Sequence, residues 1–316
     1  MAAAGDGRAR IVDSLVAGGM AGAVAKTVIA PLDRVKILYQ VTPSSPFTLP
    51  GAFASLCRIV GTEGVLGLWR GHTATLLRIV PYAAIQYTSF EQFKRVWLSI
   101  QGGGDANGDI AGFAKLCSGS LAGFTSVVVT YPLDLLRARL AVERDTSQPR
   151  FGSLYRITRS ILASRGVAGL YTGLTPTLMG IVPYAGISFW TFETLKSLLL
   201  SHSDRAKLSH TERMACGGCA GLLAQSASYP LEVIRRRMQV DATFARPDGS
   251  SKAAPSSTAG IVSLARRIYE TEGFIGGLYK GLSLNWIKGP IAVGISFTCY
   301  DAVQAHLQER YTTTAR

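Results

Sequence analysis

The sequence predicts an all-α membrane protein with six transmembrane helices in three related repeats, and three observations carry that prediction. Composition is the first. Of 316 residues, 47% are hydrophobic and 17% charged, and mean hydropathy is positive at +0.22, a balance typical of bilayer proteins. The second is a proline–acid–base signature that occurs three times, as "PLDRVK" at Pro31, "PLDLLR" at Pro132 and "PLEVIR" at Pro230. The third is that two further markers keep their order in every copy. "LWRG", "LYTG" and "LYKG" end at Gly71, Gly173 and Gly281, and "FEQFK", "FETLK" and "YDAVQ" start at Phe90, Phe192 and Tyr300. A period of about a hundred residues exceeds the roughly 20–50 of short solenoid repeats, so each copy is a small module. The expected divisions are a tail over 1–10, repeats over 11–105, 106–205 and 206–310, and a tail over 311–316.

Within each repeat the elements follow one order. An apolar run ends at the proline: "LVAGGMAGAVAKTVIAPLD", "LCSGSLAGFTSVVVTYPLD", "MACGGCAGLLAQSASYPLE". A polar loop and a short amphipathic segment, such as "GAFASLCRIVGTEG", come next. A second apolar run ends at the acid: "LLRIVPYAAIQYTSFE", "LMGIVPYAGISFWTFE", "WIKGPIAVGISFTCYD". With its flanks each run reaches the ~20 residues needed to cross hydrocarbon. None is uniformly apolar, so each is expected to turn one face to lipid and another to a polar interior. Pro31, Pro132 and Pro230 are expected to kink the first helix of each repeat. Those helices also carry Gly-xxx-Gly pairs, Gly18/Gly22, Gly119/Gly123 and Gly217/Gly221, in constant register with the proline. Such pairs predict close helix packing in lipid.

Lys and Arg number 33 against 20 Asp and Glu, a net charge of +13, which calls for an anionic partner. The bases gather at helix ends and inside spans rather than along one stripe, which argues against nucleic acid. Neither a P-loop nor Gly-x-Gly-x-x-Gly occurs. The four histidines, His72, His202, His210 and His306, lack metal-site spacing, so the sequence points away from an enzyme and from a bound metal. Five cysteines form no disulfide framework, and the Cys216/Cys219 pair lies in an apolar, glycine-rich run. The N-terminus lacks a secretory or presequence pattern, so targeting is expected to be internal. Arg78, Gly180 and Lys288 each stand 13 residues before the acids Glu91, Glu193 and Asp301. That is about 20 Å along a helix, too deep for snorkelling, so Arg78 and Lys288 are expected to face a cavity.

Over essentially the whole chain these motifs resemble the mitochondrial carrier family. The resemblance implies a six-helix bundle with threefold pseudosymmetry around a central cavity, and three short helices on the matrix side. It implies a matrix gate in which Asp33, Asp134 and Glu232 pair with Lys36, Arg137 and Arg235 between repeats, with Gln40 and Gln239 alongside. It implies a cytosolic gate in which Glu91, Glu193 and Asp301 pair with Lys94 and Lys196, while Gln304 stands where a base is expected and weakens that gate. Alternation between the two gates carries solute, and the pairs, read as wet, are worth about 0–1 kcal/mol each. Two departures stand out: Leu38 in place of the second base, and Ala141 where Gln40 and Gln239 lie in the other copies.

The resemblance also suggests a substrate site. Lys26 matches a lysine of adenine nucleotide carriers, and joins Arg78 and Lys288, with Arg139 and Arg237 deeper. Such a cluster suits phosphates. Gly180 and Ile181 would leave a flat slot for an adenine ring, with Tyr184 one turn on to stack or hydrogen-bond. The expected activity is uptake of coenzyme A in exchange for ADP or adenosine 3′,5′-diphosphate. The alternative is carriage of ATP and ADP, or of another nucleotide-like anion such as thiamine pyrophosphate. The expected setting is the mitochondrial inner membrane, as a multi-pass monomer with cardiolipin as bound lipid and no other cofactor.

Overall fold

The computed structural model describes residues 2–43, 46–100, 112–143, 150–201, 208–241 and 258–314. Repeat one comprises α1 (Ala2–Val41), α2 (Leu49–Glu63) and α3 (His72–Ile100). Repeat two comprises α4 (Gly112–Val142), α5 (Arg150–Arg165) and α6 (Leu174–Ser201). Repeat three comprises α7 (His210–Asp241), α8 (Thr258–Glu272) and α9 (Leu282–Thr314). The described residues contain no strand. Each long helix holds an internal proline: Pro31, Pro132 and Pro230 in α1, α4 and α7, and Pro81, Pro183 and Pro290 in α3, α6 and α9.

The six long helices form a closed ring. α3 lies along α4, α6 along α7 and α9 along α1, while α1, α4 and α7 meet one another. Among the described residues, only Cys117–Val142 of α4 passes a simple test of length and apolarity as a separate helix. The other spans carry polar residues on their inner faces, which dilute the average. Apolar side chains such as Val80, Val182 and Trp190 stand exposed on the outside, 74%, 75% and 69% accessible, as a lipid-facing surface requires.

The core sits at the proline end. Leu135, Leu136 and Leu140 of α4 pack on Ile157 and Ile161 of α5; Ile234 and Met238 of α7 pack on Ile261, Leu264 and Ile268 of α8; Val35 and Tyr39 of α1 pack on Ala52 and Ile59 of α2. On the axis, Ile37, Ala138, Ala141, Val142 and Val240 join α1, α4 and α7 in an apolar plug. A short helical turn (Val65–Trp69, Val167–Tyr171 or Phe274–Leu278) follows each surface helix, and Gly71, Gly173 or Gly281, all with positive φ, leads into the next span. At Gly173 (φ +85) a Cβ would stand 2.9 Å from the Tyr131 hydroxyl, so both conformation and space require glycine.

The expected role of the glycine pairs needs correction. At Gly18, Gly22, Gly119, Gly123, Gly217 and Gly221 an added Cβ would meet nothing within 4 Å. The close-packed stripe lies one residue earlier on each helix. Ala17, Ala21 and Ala25, Ser118, Ala122 and Ser126, and Cys216, Ala220 and Ala224 are all buried. Small residues do seat these helices, but on the face beside the glycines, which look into open space in this conformation.

Candidate substrate gate and cavity

α1, α4 and α7 meet beyond their prolines, where the next residues form a ring of ion pairs. Arg137 reaches Asp33 at 2.5 Å, Arg235 reaches Asp134 at 2.5 Å, and Lys36 reaches Glu232 at 2.6 Å. Every pair joins two repeats. The pairs are not wet, as the sequence suggested: Asp33, Lys36 and Asp134 are buried. Removing one partner of a buried pair leaves an uncompensated charge and costs about 3–5 kcal/mol, against about 0–1 for an exposed pair. Each pair therefore resists the loss of one partner, whatever its net contribution to stability.

Arg78 and Lys288, expected as free cavity cations, are held by gate acids. Arg78 donates to Asp134 at 2.7 Å and to the Thr130 hydroxyl at 3.1 Å, while Lys288 donates to Asp33 at 2.6 Å. Asp33 and Asp134 thus each hold two cations. At the third matching position stands Gly180, so Glu232 gains no second cation there. It accepts instead from Gln225 at 3.1 Å, and Asn285 accepts from Lys36 at 2.7 Å. Asn285 and Gln225 were not singled out by sequence. Gln225 holds the position in α7 that Lys26 holds in α1, five residues before the proline, which is the signal that could have found it.

Lys26 is exposed, makes no ion pair among the described residues, and lies within the field of Asp33, Lys288, Arg137 and Arg78. Of Lys26, Arg78 and Lys288, it is the one that pairs with no acid among the described residues. Ile181 and Tyr184, 40% and 42% exposed, follow Gly180 on α6. An added Cβ at Gly180 would touch Leu231 of α7 only at 3.7 Å, so the glycine leaves room beside them.

Arg139 and Arg237 are not cavity groups in this conformation, which corrects their expected place in the substrate site. Both are buried below the gate ring. Arg139 donates to the Gln239 carbonyl at 3.0 Å, and Arg237 to the Gln40 carbonyl at 2.9 Å. Arg237 also pairs with Glu272, which Lys280 approaches at 3.2 Å. Burial alone would raise the Glu272 carboxyl, but the bond and charge of Arg237, with Lys280 beside them, hold it below the usual carboxylate range. Gln40 and Gln239 form braces: Gln40 donates to the Tyr229 hydroxyl at 3.1 Å, and Gln239 to the Tyr131 hydroxyl at 3.0 Å. The Tyr229 and Tyr131 hydroxyls in turn donate to the backbone carbonyls of Lys280 and Thr172.

The acid ends of α3, α6 and α9 stand apart. Lys196 pairs with Glu193 of its own helix at 3.0 Å, with both side chains more than 40% exposed, rather than with a neighbouring repeat. Glu91, Lys94 and Asp301 join no ion pair among the described residues, and Gln304 is half-buried. The inter-repeat pairing expected there is absent among the described residues in this conformation, because helices held together at the proline end diverge towards the other.

A sequence model described as mitochondrial carrier protein matches residues 7–101, 109–203 and 206–311, one match per repeat. The chain belongs to the mitochondrial carrier family. This carrier is 46% identical over 300 residues to the mitochondrial coenzyme A transporter SLC25A42 of Xenopus tropicalis, covering 95% of this chain and 86% of that one. It is 46% identical over 303 residues to the Homo sapiens protein of that name, covering 95% and 90%. It is 37% identical over 315 residues to the Zea mays mitochondrial carrier protein CoAc2, covering 96% and 89%. As a carrier it is a transporter, and the three matched segments are the three repeats seen in the fold.

Proposed function

We propose that the protein is an antiporter of the mitochondrial inner membrane that imports coenzyme A into the matrix in exchange for adenine nucleotides such as ADP and adenosine 3′,5′-diphosphate. The observation that carries the reading is the double duty of Arg78 and Lys288. Both lie at the cavity floor, and both are bound to gate acids, Asp134 and Asp33. A phosphate-bearing solute held first by Lys26 would compete for these two cations. Each cation it draws away leaves a gate carboxylate with one partner fewer, so binding and opening are coupled through differential affinity. The open glycine faces of α1, α4 and α7 are the surface on which the acid ends would converge in the opposite state. There Glu91, Glu193 and Asp301 would meet Lys94 and Lys196. Coenzyme A carries phosphates on both sides of its adenosine, which suits a site with several cations and an apolar wall at Ile181 and Tyr184. The relatives named coenzyme A transporters support the choice of solute. Anionic lipid, cardiolipin included, is proposed for the basic surface of a monomer.

The test is exchange by the purified carrier in liposomes, comparing coenzyme A, ADP, adenosine 3′,5′-diphosphate, ATP and thiamine pyrophosphate. Coenzyme A is expected to exchange against both adenine diphosphates; its failure to do so overturns the assignment. Arg78→Ala is expected to remove transport while the protein still inserts and unfolds cooperatively, and wild-type rates would refute the coupling.

A further inference from the structure

The three surface helices end in a repeated ion-pair site, and one copy is inverted. In repeat one, Glu63 at the end of α2 binds Arg34 and Arg70. In repeat three, Glu272 at the end of α8 binds Arg237 and Lys280. In repeat two the same position, just before the positive-φ glycine, is Arg165 rather than an acid. The second cation is replaced as well, since Thr172 stands where Arg70 and Lys280 lie. Arg139 occupies the position of Arg237, seven residues beyond its proline, and its Nε makes the same bond to a carbonyl of the next repeat. Its Nη2 has no partner, although the residue is only 6% exposed. Its charged neighbour is Arg165. The next acid in the chain, Glu143 just past the end of α4, faces Arg156 at 3.5 Å instead.

One guanidinium, Arg165, thus takes the position that holds a carboxylate in the other repeats, and the other, Arg139, is buried with an unused donor. A buried, unpaired charge is strongly disfavoured, and guanidinium donors match the oxygens of carboxylates and phosphates. We infer that Arg139 and Arg165 form a binding site for a small oxyanion, a phosphate or carboxylate, at the proline end of repeat two, separate from the transport cavity. Arg165 is half-exposed, so the anion enters from the surface beside α5, and the charge it supplies takes the place of Glu63 and Glu272. The site is independent of which solute the carrier moves.

The experiment is thermal unfolding of the full-length carrier in neutral detergent, titrated with inorganic phosphate against chloride at matched ionic strength. The wild type is expected to gain about 2–4 °C with saturation. Arg165→Glu rebuilds the carboxylate of the other repeats, so its midpoint should start higher and lose that increment. Arg165→Gln should lose most of the increment without the higher start. Phosphate bound at the transport cavity would raise all three proteins alike. An increment that survives intact in Arg165→Glu and Arg165→Gln therefore overturns the site, as does its absence from the wild type with every oxyanion source. A parallel titration with an anionic phospholipid separates sources: a rise with the lipid but not with phosphate, cancelled by Arg165→Glu, assigns the oxyanion to a headgroup.

Discussion

The three seams between repeats close the same gate with different hardware. Where α4 meets α7, the Asp134–Arg235 pair is backed by the Gln239–Tyr131 brace, the Arg139 clamp on a carbonyl, and the Tyr131 ring 5.9 Å from the Arg235 guanidinium. Where α7 meets α1, the Glu232–Lys36 pair is backed by the Gln40–Tyr229 brace, the Arg237 clamp, and the Tyr229 ring 5.1 Å from the Lys36 ammonium. Where α1 meets α4, the Asp33–Arg137 pair remains, but both brace positions are alanine, Ala30 and Ala141. Brace and ring are lost together. Between them lies a cavity of about 10 Å³, lined by Ala30, Ala141, Arg137 and Thr75, whose hydroxyl has no hydrogen-bond partner. A buried hydrogen bond contributes about 1 kcal/mol and a cation over a ring about 0.5–2, so this seam should be the weakest. A ring that looks threefold by its ion pairs is built to open unevenly.

The largest test of that difference removes the ion pairs. Asp33→Asn leaves Arg137 and Lys288 without their acid at the unbraced seam; Asp134→Asn leaves Arg235 and Arg78 without theirs at a braced one. At about 3–5 kcal/mol each, both should lower the unfolding midpoint by roughly 10 °C. The loss at Asp33→Asn should be the greater, because this seam has neither brace nor ring, and keeps the Arg34 clamp on the Ala141 carbonyl at 3.1 Å and the packing of Ile37 on Ala138 and Ala141. Equal losses would mean that the braces add nothing to closure.

A smaller effect isolates one brace. Tyr131→Phe keeps the ring under Arg235 and removes the hydroxyl, leaving the Gln239 amide and the Thr172 carbonyl unmatched. The expected destabilisation is about 1–3 kcal/mol, read as a lower midpoint, with faster solute exchange if opening limits turnover. An unchanged midpoint would remove the brace from the comparison and leave only the ion pairs.

Much of the ring was legible in the sequence because its parts keep fixed offsets from a marker proline. The triplication picked out Asp33, Asp134, Glu232 and their bases, and the family resemblance paired them between repeats. What could not be read were compensations across the fold. Leu38 replaces in repeat one the base that forms the carbonyl clamp in the other two. The structure supplies it from Arg34, one helical turn earlier, which reaches the carbonyl of Ala141 and the carboxylate of Glu63. Offsets along a chain do not reveal that a long side chain on the same face can cover a neighbour's task. Arg139 and Arg237 were misplaced for a related reason: charge and depth fitted the cavity, but burial below the ring, visible only in three dimensions, assigns them to carbonyls. The glycine pairs were assigned one residue away from the packed face, because a run rich in both alanine and glycine does not say which stripe meets its neighbour.

The smallest test builds what the weak seam lacks. Ala30→Tyr with Ala141→Gln would set a phenol and an amide in the positions they hold at the other two seams, with Gly71 already matching the glycines beside Tyr131 and Tyr229. The gain should be about 1 kcal/mol, a midpoint rise of about 2–4 °C. Exchange should slow by up to about fivefold if the closed gate is favoured to the same extent. Each single variant should be neutral or harmful, since Gln at 141 alone buries an amide without its phenol, and Tyr at 30 alone fills the cavity with an unpaired hydroxyl. The sign of the coupling in the double-mutant cycle decides the matter. Favourable coupling of about 1 kcal/mol places the missing brace at this cavity, and zero coupling would mean that the Arg34 clamp has replaced it altogether.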